Sequence, residues 1–411
     1  MRSIKDILKS KVFANYSHMT ISQVANIVVS MVIYPIVIRA LGAEEYGVYV
    51  FGFALLSYFN VLIDFGLGTP LVKRYVDCAD DNVRQNRLFS TVCALKGAMY
   101  LLSLLLMCGA VHIVPLLKCN ALVYIIIMLQ GLWDILSFQW IYQAKQRMYV
   151  VTYCSVISRV LMIPFVIIFV NDDSDLLLFV VFNALFWVLG ALAVLAHLLF
   201  VEKFRFVRIT FGDVKSLLRD GMPFLSSDII GALRNEVAVV FVGSFLGMRD
   251  VAIYDLANKV VSIPRTLIMN INRALYPDVL STGKYDVRKI LRYEYLLGLL
   301  VVVGVALFGY WAVLLLGGAS MIEAYGVSII LSLSIITWFV VGAYINFIFV
   351  PAGVYRYVTI KQAVAVAGFM IFCVPLMYFY GNVYAFAISF VVSEFVELAY
   401  CHIVSRRKGL L

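Results

Sequence analysis

Leu41-Gly42-Ala43-Glu44-Glu45-Tyr46-Gly47-Val48-Tyr49 returns as Leu246-Gly247-Met248-Arg249-Asp250-Val251-Ala252-Ile253-Tyr254, 205 residues further along a chain of 411. Half the chain separates the copies. Each joins two apolar runs long enough to cross a bilayer, and such runs recur from end to end. Hydrophobic residues make up 63% of the chain, charged residues 14%, and the mean hydropathy is +0.96, whereas an ordinary soluble domain is about 25% charged. A crossing takes roughly 20 apolar residues for a hydrocarbon core of about 30 Å. The solvent for this fold is lipid.

With charges, prolines and glycine-rich breaks as punctuation, helices are expected near 13–40, 46–72, 88–113, 120–142, 150–171, 175–201, 222–246, 251–280, 293–316, 320–348, 357–379 and 382–404. The run from Val12 to Ala40 is too long for a signal peptide and lacks a small-residue cleavage site, so it is expected to stay as the first helix. Most of the 33 Lys and Arg then fall on one side. That side holds the basic N-terminus, Lys73, Arg74, Arg84 and Arg87, Lys145 and Arg147, and the group from Lys203 to Arg219. It continues through Lys284 to Arg292, then Arg356 and Lys361, and ends at Arg406 to Lys408. The other side holds Arg39, Lys118 and Arg249 with Asp172, Asp173 and Asp175. Basic loops mark the cytoplasmic face, so an even helix number with both termini cytoplasmic is expected. The net charge of +9 is then a matter of topology and implies no nucleic-acid partner.

The longest polar connection, residues 202–221, leaves no room for a catalytic domain, and no GxxxxGK[ST] phosphate loop occurs in the chain. No cofactor is indicated. The seven cysteines are scattered without a CxxC pair and suggest neither a disulfide framework nor a zinc site.

The two copies of the repeated segment occupy equivalent places after the first helix of each half. The halves therefore share one orientation and form a parallel repeat about an axis along the membrane normal. The expected architecture is an all-α integral membrane protein of about twelve helices. Residues 1–201 form an N-terminal six-helix bundle, 202–221 a cytoplasmic linker and 222–411 a C-terminal six-helix bundle, with a substrate path between the bundles.

Six basic residues remain inside the expected helices: Lys96, Arg159, Arg234, Lys259, Arg265 and Arg273. At roughly 3 kcal/mol each, leaving them in lipid would cost on the order of 18 kcal/mol, more than a typical folding stability. They must meet water, a partner charge or a ligand. Asp255, Lys259, Ser262, Thr266, Asn270 and Arg273 share one helix face, a stripe about 27 Å long. Pro264 sits within it as an expected kink. The first helix carries an uncharged stripe of Asn15, Ser22, Asn26 and Ser30, and the seventh carries Asp228 and Asn235 with Arg234 and Glu236 beside them.

Two readings stay open for these charges. In one, Asp255 and Lys259 form a local i,i+4 pair and the arginines bond neighbouring carbonyls. In the other, the cations line a water-filled lumen for an anionic passenger, where arginine suits phosphate because its fork is bidentate and stays protonated. The intramembrane acids Asp64, Asp134, Asp228, Glu236, Asp255, Glu394 and Glu397 are either coupling-ion carboxylates or partners for those cations. His18, His112 and His197 lie near expected helix ends, where a histidine needs no role.

The string Arg39 to Tyr49, followed by Asp64-Phe65-Gly66-Leu67 and by Lys73-Arg74, resembles the bacterial polysaccharide transporter family. This is the Wzx-type O-antigen flippase branch of the multidrug, oligosaccharidyl-lipid and polysaccharide exporter superfamily. The likeness in spacing and hydropathy covers nearly the whole chain, including Pro223 at the opening of the seventh helix. It implies a multi-pass inner-membrane flippase, not an enzyme, that moves undecaprenyl-diphosphate-linked oligosaccharide repeat units for O-antigen or capsule assembly by alternating access. Carried onto this chain, Arg159, Arg234, Lys259, Arg265, Arg273 and Lys96 are the candidate substrate-binding cations. Asp64, Asp228, Glu236 and Asp255 are the coupling or charge-pair candidates. The implied partners are the lipid-linked oligosaccharide, membrane lipid, a coupling ion (H+ or Na+) and polysaccharide assembly proteins.

Three rivals differ in checkable ways. A multidrug exporter of the same superfamily should have an acidic cavity, and a peptidoglycan-precursor flippase should bring helices beyond twelve. A membrane polysaccharide polymerase should carry a long outside loop, which is missing from the expected topology.

Overall fold

The computed structural model describes residues 11–78, 81–281, 287–349, 352 and 354–408. Among these no strand occurs, and the chain is helical almost throughout. α1 (Lys11–Asp64) runs into the short α2 (Gly68–Asp77). α3 (Asn82–Ile113), α4 (Ala121–Ala144), α5 (Tyr149–Phe169), α6 (Leu176–Phe200) and α7 (Phe211–Phe245) follow. After them come α8 (Met248–Ser281), α9 (Val287–Gly317), α10 (Glu323–Tyr344), α11 (Tyr355–Tyr380) and α12 (Val383–Arg407).

Nine helical runs among the described residues are long and apolar enough to cross a membrane. The first, Val28–Asp64, has 37 residues and would reach about 55 Å if straight, nearly twice a hydrocarbon core. Gly42, with φ 72° and ψ 175°, breaks it in two. α7 and α8 carry too many charges to score as apolar, although Glu236–Phe245 does form a shorter apolar stretch. With these added, the helices are consistent with twelve crossings.

Local chemistry sets the ends. The Asp81 carboxylate accepts the Val83 and Arg84 amides at 3.0 Å and opens α3. Asn382 caps α12 through the Ala385 amide at 2.9 Å, and Gly381, at φ 51°, closes α11. Left-handed residues suit such stops because glycine adopts them at no steric cost.

Two compact units result, Met1–Val240 and Phe241–Leu411. In the first, α5 packs on α6 and α1, and α2 packs on the last turns of α4. In the second, α9 packs on α10, α11 on α12, and α10 also on α8 and α12.

Each unit repeats the same local devices. Gly42 and Gly247 both take positive φ, 72° and 114°, where a Cβ would be strained. Tyr46 and Val251, equivalent in the repeat, are fully buried. Tyr49 meets Phe179 of α6 edge-on at 5.0 Å, and Tyr254 meets Phe386 of α12 edge-on at 5.5 Å. A third device pairs the end of the fourth helix of each half with the end of the sixth: the Tyr142 hydroxyl hydrogen-bonds His197 Nδ1 at 3.0 Å, and the Tyr344 hydroxyl His402 Nδ1 at 2.7 Å. His197 and His402 stand 205 residues apart, the offset of the sequence repeat. His197 thus has a structural role that its place near a helix end did not suggest.

The structure departs from the expected elements in three places. The second expected helix, 46–72, ends at Asp64 and restarts at Gly68 because Phe65 and Gly66 both take positive φ. The fourth, 120–142, is interrupted by a 3-10 turn at Met128–Gly131 and by Phe138 at φ 42°. The seventh helix starts at Phe211, so Pro223 lies inside it rather than at its opening.

That early start changes the polar connection, which is helical from Phe211 onward. Thr210 and Asp213 form its cap: the Thr210 amide and hydroxyl both donate to Asp213 Oδ2, at 2.8 and 2.7 Å. These two bonds, the hydroxyl's first, hold the Asp213 carboxyl below its ordinary range, and Arg87 at 2.9 Å helps. Further along, Arg74 Nε and Nη2 lie 2.8 and 2.6 Å from Asp220 Oδ2. Gly221 lies so near the Phe65 carbonyl that a Cβ there would stand 2.4 Å from its oxygen. These contacts tie the first turns of α7 to α2 and α3, and the division by packing falls within α7, beyond the polar connection.

Candidate functional site

The Asp64-Phe65-Gly66-Leu67 segment is a backbone crossing. A Cβ on Gly66 would sit 2.5 Å from the Leu225 amide nitrogen and 2.7 Å from the Gly221 carbonyl oxygen, so both glycines are required by close approach of two main chains. The break leaves Asp64 at the end of α1, where its Oδ1 accepts from Lys96 Nζ of α3 at 2.5 Å. The Lys96 ammonium also donates to the Asp134 carbonyl of α4 at 3.2 Å. The Lys96 side chain is 6% exposed and that of Asp64 38%, so the lysine is the buried partner and the carboxylate the accessible one. Asp228 on α7 lies within Coulombic range of Asp64, and Glu236 within range of Tyr58.

Arg159 on α5 lies in the same unit, its Cζ 4.3 Å from the centre of the Trp187 ring on α6. Stacking on an indole stabilises a guanidinium by about 2 kcal/mol when water is excluded, and it fixes the plane in which the N–H donors fan out. In the second unit, at positions unrelated by the repeat, Arg265 of α8 lies over the Trp338 ring of α10 at 4.4 Å. Also on α8, Lys259 donates to Asp255 in an i,i+4 ion pair, the local reading left open by the sequence.

Of the ten candidates, the structure thus brings together Asp64 with Lys96 and Asp255 with Lys259, and sets Arg159 and Arg265 each on a tryptophan. The side chains of Arg234 and Arg273 lie outside the described residues, as do those of Asn15, Ser22, Asn26, Asn235 and Asn270 and the whole of His18 apart from its backbone. Among the described residues no three His, Cys, Asp or Glu are grouped to hold a metal ion.

Lys361 falls within the expected helix 357–379 although it counts with the basic loops; it lies inside α11 with its Nζ 2.5 Å from Glu397 Oε1 of α12. The two side chains are 4% and 0% exposed. Glu394, one turn from Glu397 and 2% exposed, accepts from the Thr337 hydroxyl at 3.4 Å. In the first unit a further charge cluster lies beyond the ends of α4 and α6: Glu202 takes Lys145 at 2.5 Å and Arg147 at 2.9 Å. Burial alone would raise the Glu202 carboxyl, but the two cations outweigh it and hold it below its ordinary range.

A helical chain with paired intramembrane charges, stacked arginines and a twofold repeat defines a multi-pass membrane protein with the fold of transporters. Residues 12–283 match the model of the family described as "Polysaccharide biosynthesis protein", and the chain belongs to that family. It is 24% identical over 312 residues to the "Putative O-antigen transporter" of Escherichia coli (strain K12), covering 75% of this chain and 74% of that one. Among solved structures it is similar to the lipid II flippase MurJ in an inward closed conformation, with a TM-score of 0.71 at 12% identity over 96% of this chain and 87% of that one. It is also similar to an inward-facing multidrug resistance MATE transporter of the MOP superfamily, with a TM-score of 0.68 at 15% identity over 97% and 98%. The fold is therefore that of the MOP-superfamily transporters and flippases.

Proposed function

We propose that this protein is a flippase that moves undecaprenyl-diphosphate-linked oligosaccharide repeat units, for O-antigen or capsule, from the cytoplasmic to the periplasmic leaflet of the bacterial inner membrane. The observation that carries the reading is the pair of arginines held at membrane depth, Arg159 on Trp187 and Arg265 on Trp338, in a chain of the polysaccharide biosynthesis family. A stacked arginine keeps its charge and its forked donors in a fixed plane, which suits the diphosphate of a lipid-linked sugar. A multidrug exporter for organic cations has no use for such groups.

Two six-helix halves, 1–201 and 222–411 joined by 202–221, work by alternating access, with both termini cytoplasmic. Arg159, Arg265, Arg234 and Arg273 meet the diphosphate. Lys259 and Lys96, each held by a carboxylate, release or regain that partner as the headgroup passes. Asp64 and Asp255 serve as those partners, and Asp228, near Asp64, and Glu236 serve as proton- or sodium-linked carboxylates. The likeness to the lipid II flippase favours one second reading, a peptidoglycan precursor as cargo, because that lipid carries the same diphosphate.

The test is the fate of lipid-linked repeat units in the native host after deletion of the gene, with a periplasmic sugar probe to report the leaflet. Units should be trapped on the cytoplasmic side and rescued by wild type but not by Arg159→Ala with Arg265→Ala. Periplasmic single units that fail to lengthen would instead indicate a polymerase, and arrested peptidoglycan synthesis would indicate the second reading.

A further inference from the structure

In the first unit α1, α3 and α4 pack on one another, and buried polar atoms that no protein group bonds collect on these three helices. They are Asn60 Oδ1 of α1, the Tyr100 hydroxyl of α3, and the Tyr124 hydroxyl and both side-chain amide atoms of Gln130 on α4. Among the described residues the Ser405 hydroxyl is the one other case, and it belongs to the second unit. Gln130 is 4% exposed and Tyr100 7%. A polar group taken from water without a new partner costs free energy, so buried groups are normally met by protein or by ordered water.

Their positions along the helices relate them to the charges already described. Lys96 bonds the Asp64 carboxylate and the Asp134 carbonyl, so these three residues mark one level of α1, α3 and α4. Asn60, Tyr100 and Gln130 each stand four residues from one of them, a turn further along the same helix face. α1 and α4 run toward the basic loops and α3 runs away from them, so all three steps lead the same way, away from those loops. A Cβ on Gly131 would stand 3.4 Å from Asn60 Oδ1, which puts that oxygen against the 3-10 turn carrying Gln130. Tyr124 continues the row toward the start of α4, ten residues and about 15 Å from Asp134.

Water suits this set and a metal ion does not. Gln130 needs an acceptor for its Nε2 and a donor for its Oε1, and a water molecule is both. A metal ion would leave the Nε2 unmet and would face the Lys96 ammonium. Asp134 closes the row at the charged level. Lys96 bonds its carbonyl rather than its carboxyl, and the carboxyl lies within Coulombic range of both Lys96 and Asp64. α1 thus faces it with Asp64, and α3 with Lys96 and Tyr100. α6 brings Trp187 edge-on to Trp133 at 5.1 Å, with Arg159 across the far ring, while its one histidine, His197, bonds Tyr142 nearer the basic loops. Asp228 of α7 is within range of Asp64. A carboxyl beside a second carboxylate at membrane depth, reached by a row of water, is placed to carry a proton.

We propose that bound water occupies the row from Tyr124 through Gln130, Asn60 and Tyr100 to Asp134, and that the Asp134 carboxyl holds a proton exchangeable with that water. While Lys96 donates to Asp64, the proton stays on Asp134. When Lys96 turns to Asp134, the O–H bond there breaks, its electron pair stays on the carboxylate and the proton passes to the adjoining water. That water chain in turn gives a proton to the freed Asp64. The turning of Lys96 during a cycle rests on the transport reading above; the water and the proton belong to the resting protein and hold whatever the cargo is.

Two readings on the full-length protein in nanodiscs, without cargo, provide the test. Radiolysis converts bound water to hydroxyl radical where it lies, and mass spectrometry reads the oxidation of adjoining side chains. Tyr100 and Tyr124 should be oxidised several-fold faster than Tyr46, although Tyr124 and Tyr46 are equally buried at 1% and 0% exposed. Gln130→Leu, which replaces the unbonded amide by an apolar group of similar size, should abolish that excess while the protein still folds. Infrared spectroscopy at neutral pH then reads the carbonyl stretch of a protonated carboxyl. Wild type should show a band that shifts in heavy water and is lost in Asp134→Asn. Asp64→Asn leaves Lys96 to Asp134 and should remove the same band. Tyrosine oxidation no faster than that of Tyr46 would overturn the water. A band that survives either substitution, or that never shifts in heavy water, would overturn the proton. Exchange of potassium for sodium should change neither reading, and a change in either would assign the row to a metal ion and overturn the proposal.

Discussion

Replacing Lys361 by methionine should be among the most damaging single changes in the second unit. Its ammonium lies 2.5 Å from Glu397, and the two side chains are 4% and 0% exposed. Removing one partner of a buried ion pair leaves the other charge without compensation, at a cost of about 3–5 kcal/mol. Lys361→Met should fall at the upper end, because Glu394 places a second buried carboxyl one turn away, and Glu397→Gln at the lower end. Lys361→Met with Glu397→Leu replaces both charges by apolar groups of similar volume, which typically is neutral or stabilising by about 1–4 kcal/mol. The double variant should therefore be more stable than either single one. Unfolding in dodecylmaltoside micelles titrated with dodecyl sulfate, followed by tryptophan fluorescence, measures the cycle. A loss below about 1 kcal/mol for Lys361→Met, the scale of an exposed pair, would mean that the lysine reaches water as a loop residue and would refute the reasoning.

Further outcomes follow from the same contacts. Gly221→Ala puts a Cβ 2.4 Å from the Phe65 carbonyl oxygen and should cost about 1–3 kcal/mol as overpacking, lowering the melting temperature. Gly97→Ala, in a helix with nothing within 4 Å of the new carbon, should instead be neutral or add up to about 1 kcal/mol. Glu202 has a depressed pKa in the folded protein, so its stabilisation is complete above the unfolded value of roughly 4.3 and is lost as pH falls through the folded value. The stability gap between wild type and Glu202→Gln should be open at pH 7 and close on acidification, as melting curves across pH will show. Arg159→Lys keeps the charge but loses the planar stack on Trp187, worth about 1–2 kcal/mol; transport should fall, and Trp187→Leu should lower it in the same direction.

The elements written into the sequence are those that repeat or recur locally. Gly42 and Gly247 could be placed from the 205-residue offset alone, and both take the left-handed backbone. Asp255 and Lys259 are four residues apart on one helix, so their pairing was one of two open readings. Contacts between distant helices were not legible. Arg159 finds Trp187 and Arg265 finds Trp338 only because α5 packs on α6 and α8 on α10. The Tyr142 to His197 and Tyr344 to His402 bonds span 55 and 58 residues, yet aligning the halves would have exposed them, since the histidines share the repeat offset. Lys361 falls within the expected helix 357–379 yet counts with the cytoplasmic loops, because hydropathy cannot tell a lysine near a helix end that reaches water from one that finds a carboxylate across a helix interface. Pro223 misled in the same way: the capped turn at Thr210 and Asp213 starts α7 well upstream of it.

The most direct test of the flippase assignment is translocation by the purified protein. Liposomes containing a fluorescent polyprenyl-diphosphate oligosaccharide, with and without the protein, are exposed to an impermeant quencher, and the protected fraction is followed in time. Protein-dependent loss of protection, abolished in Arg159→Ala with Arg265→Ala and retained in Arg205→Ala with Arg208→Ala, is the expected result. Protection that stays the same with and without wild-type protein, while the same vesicles move an organic cation, would contradict it.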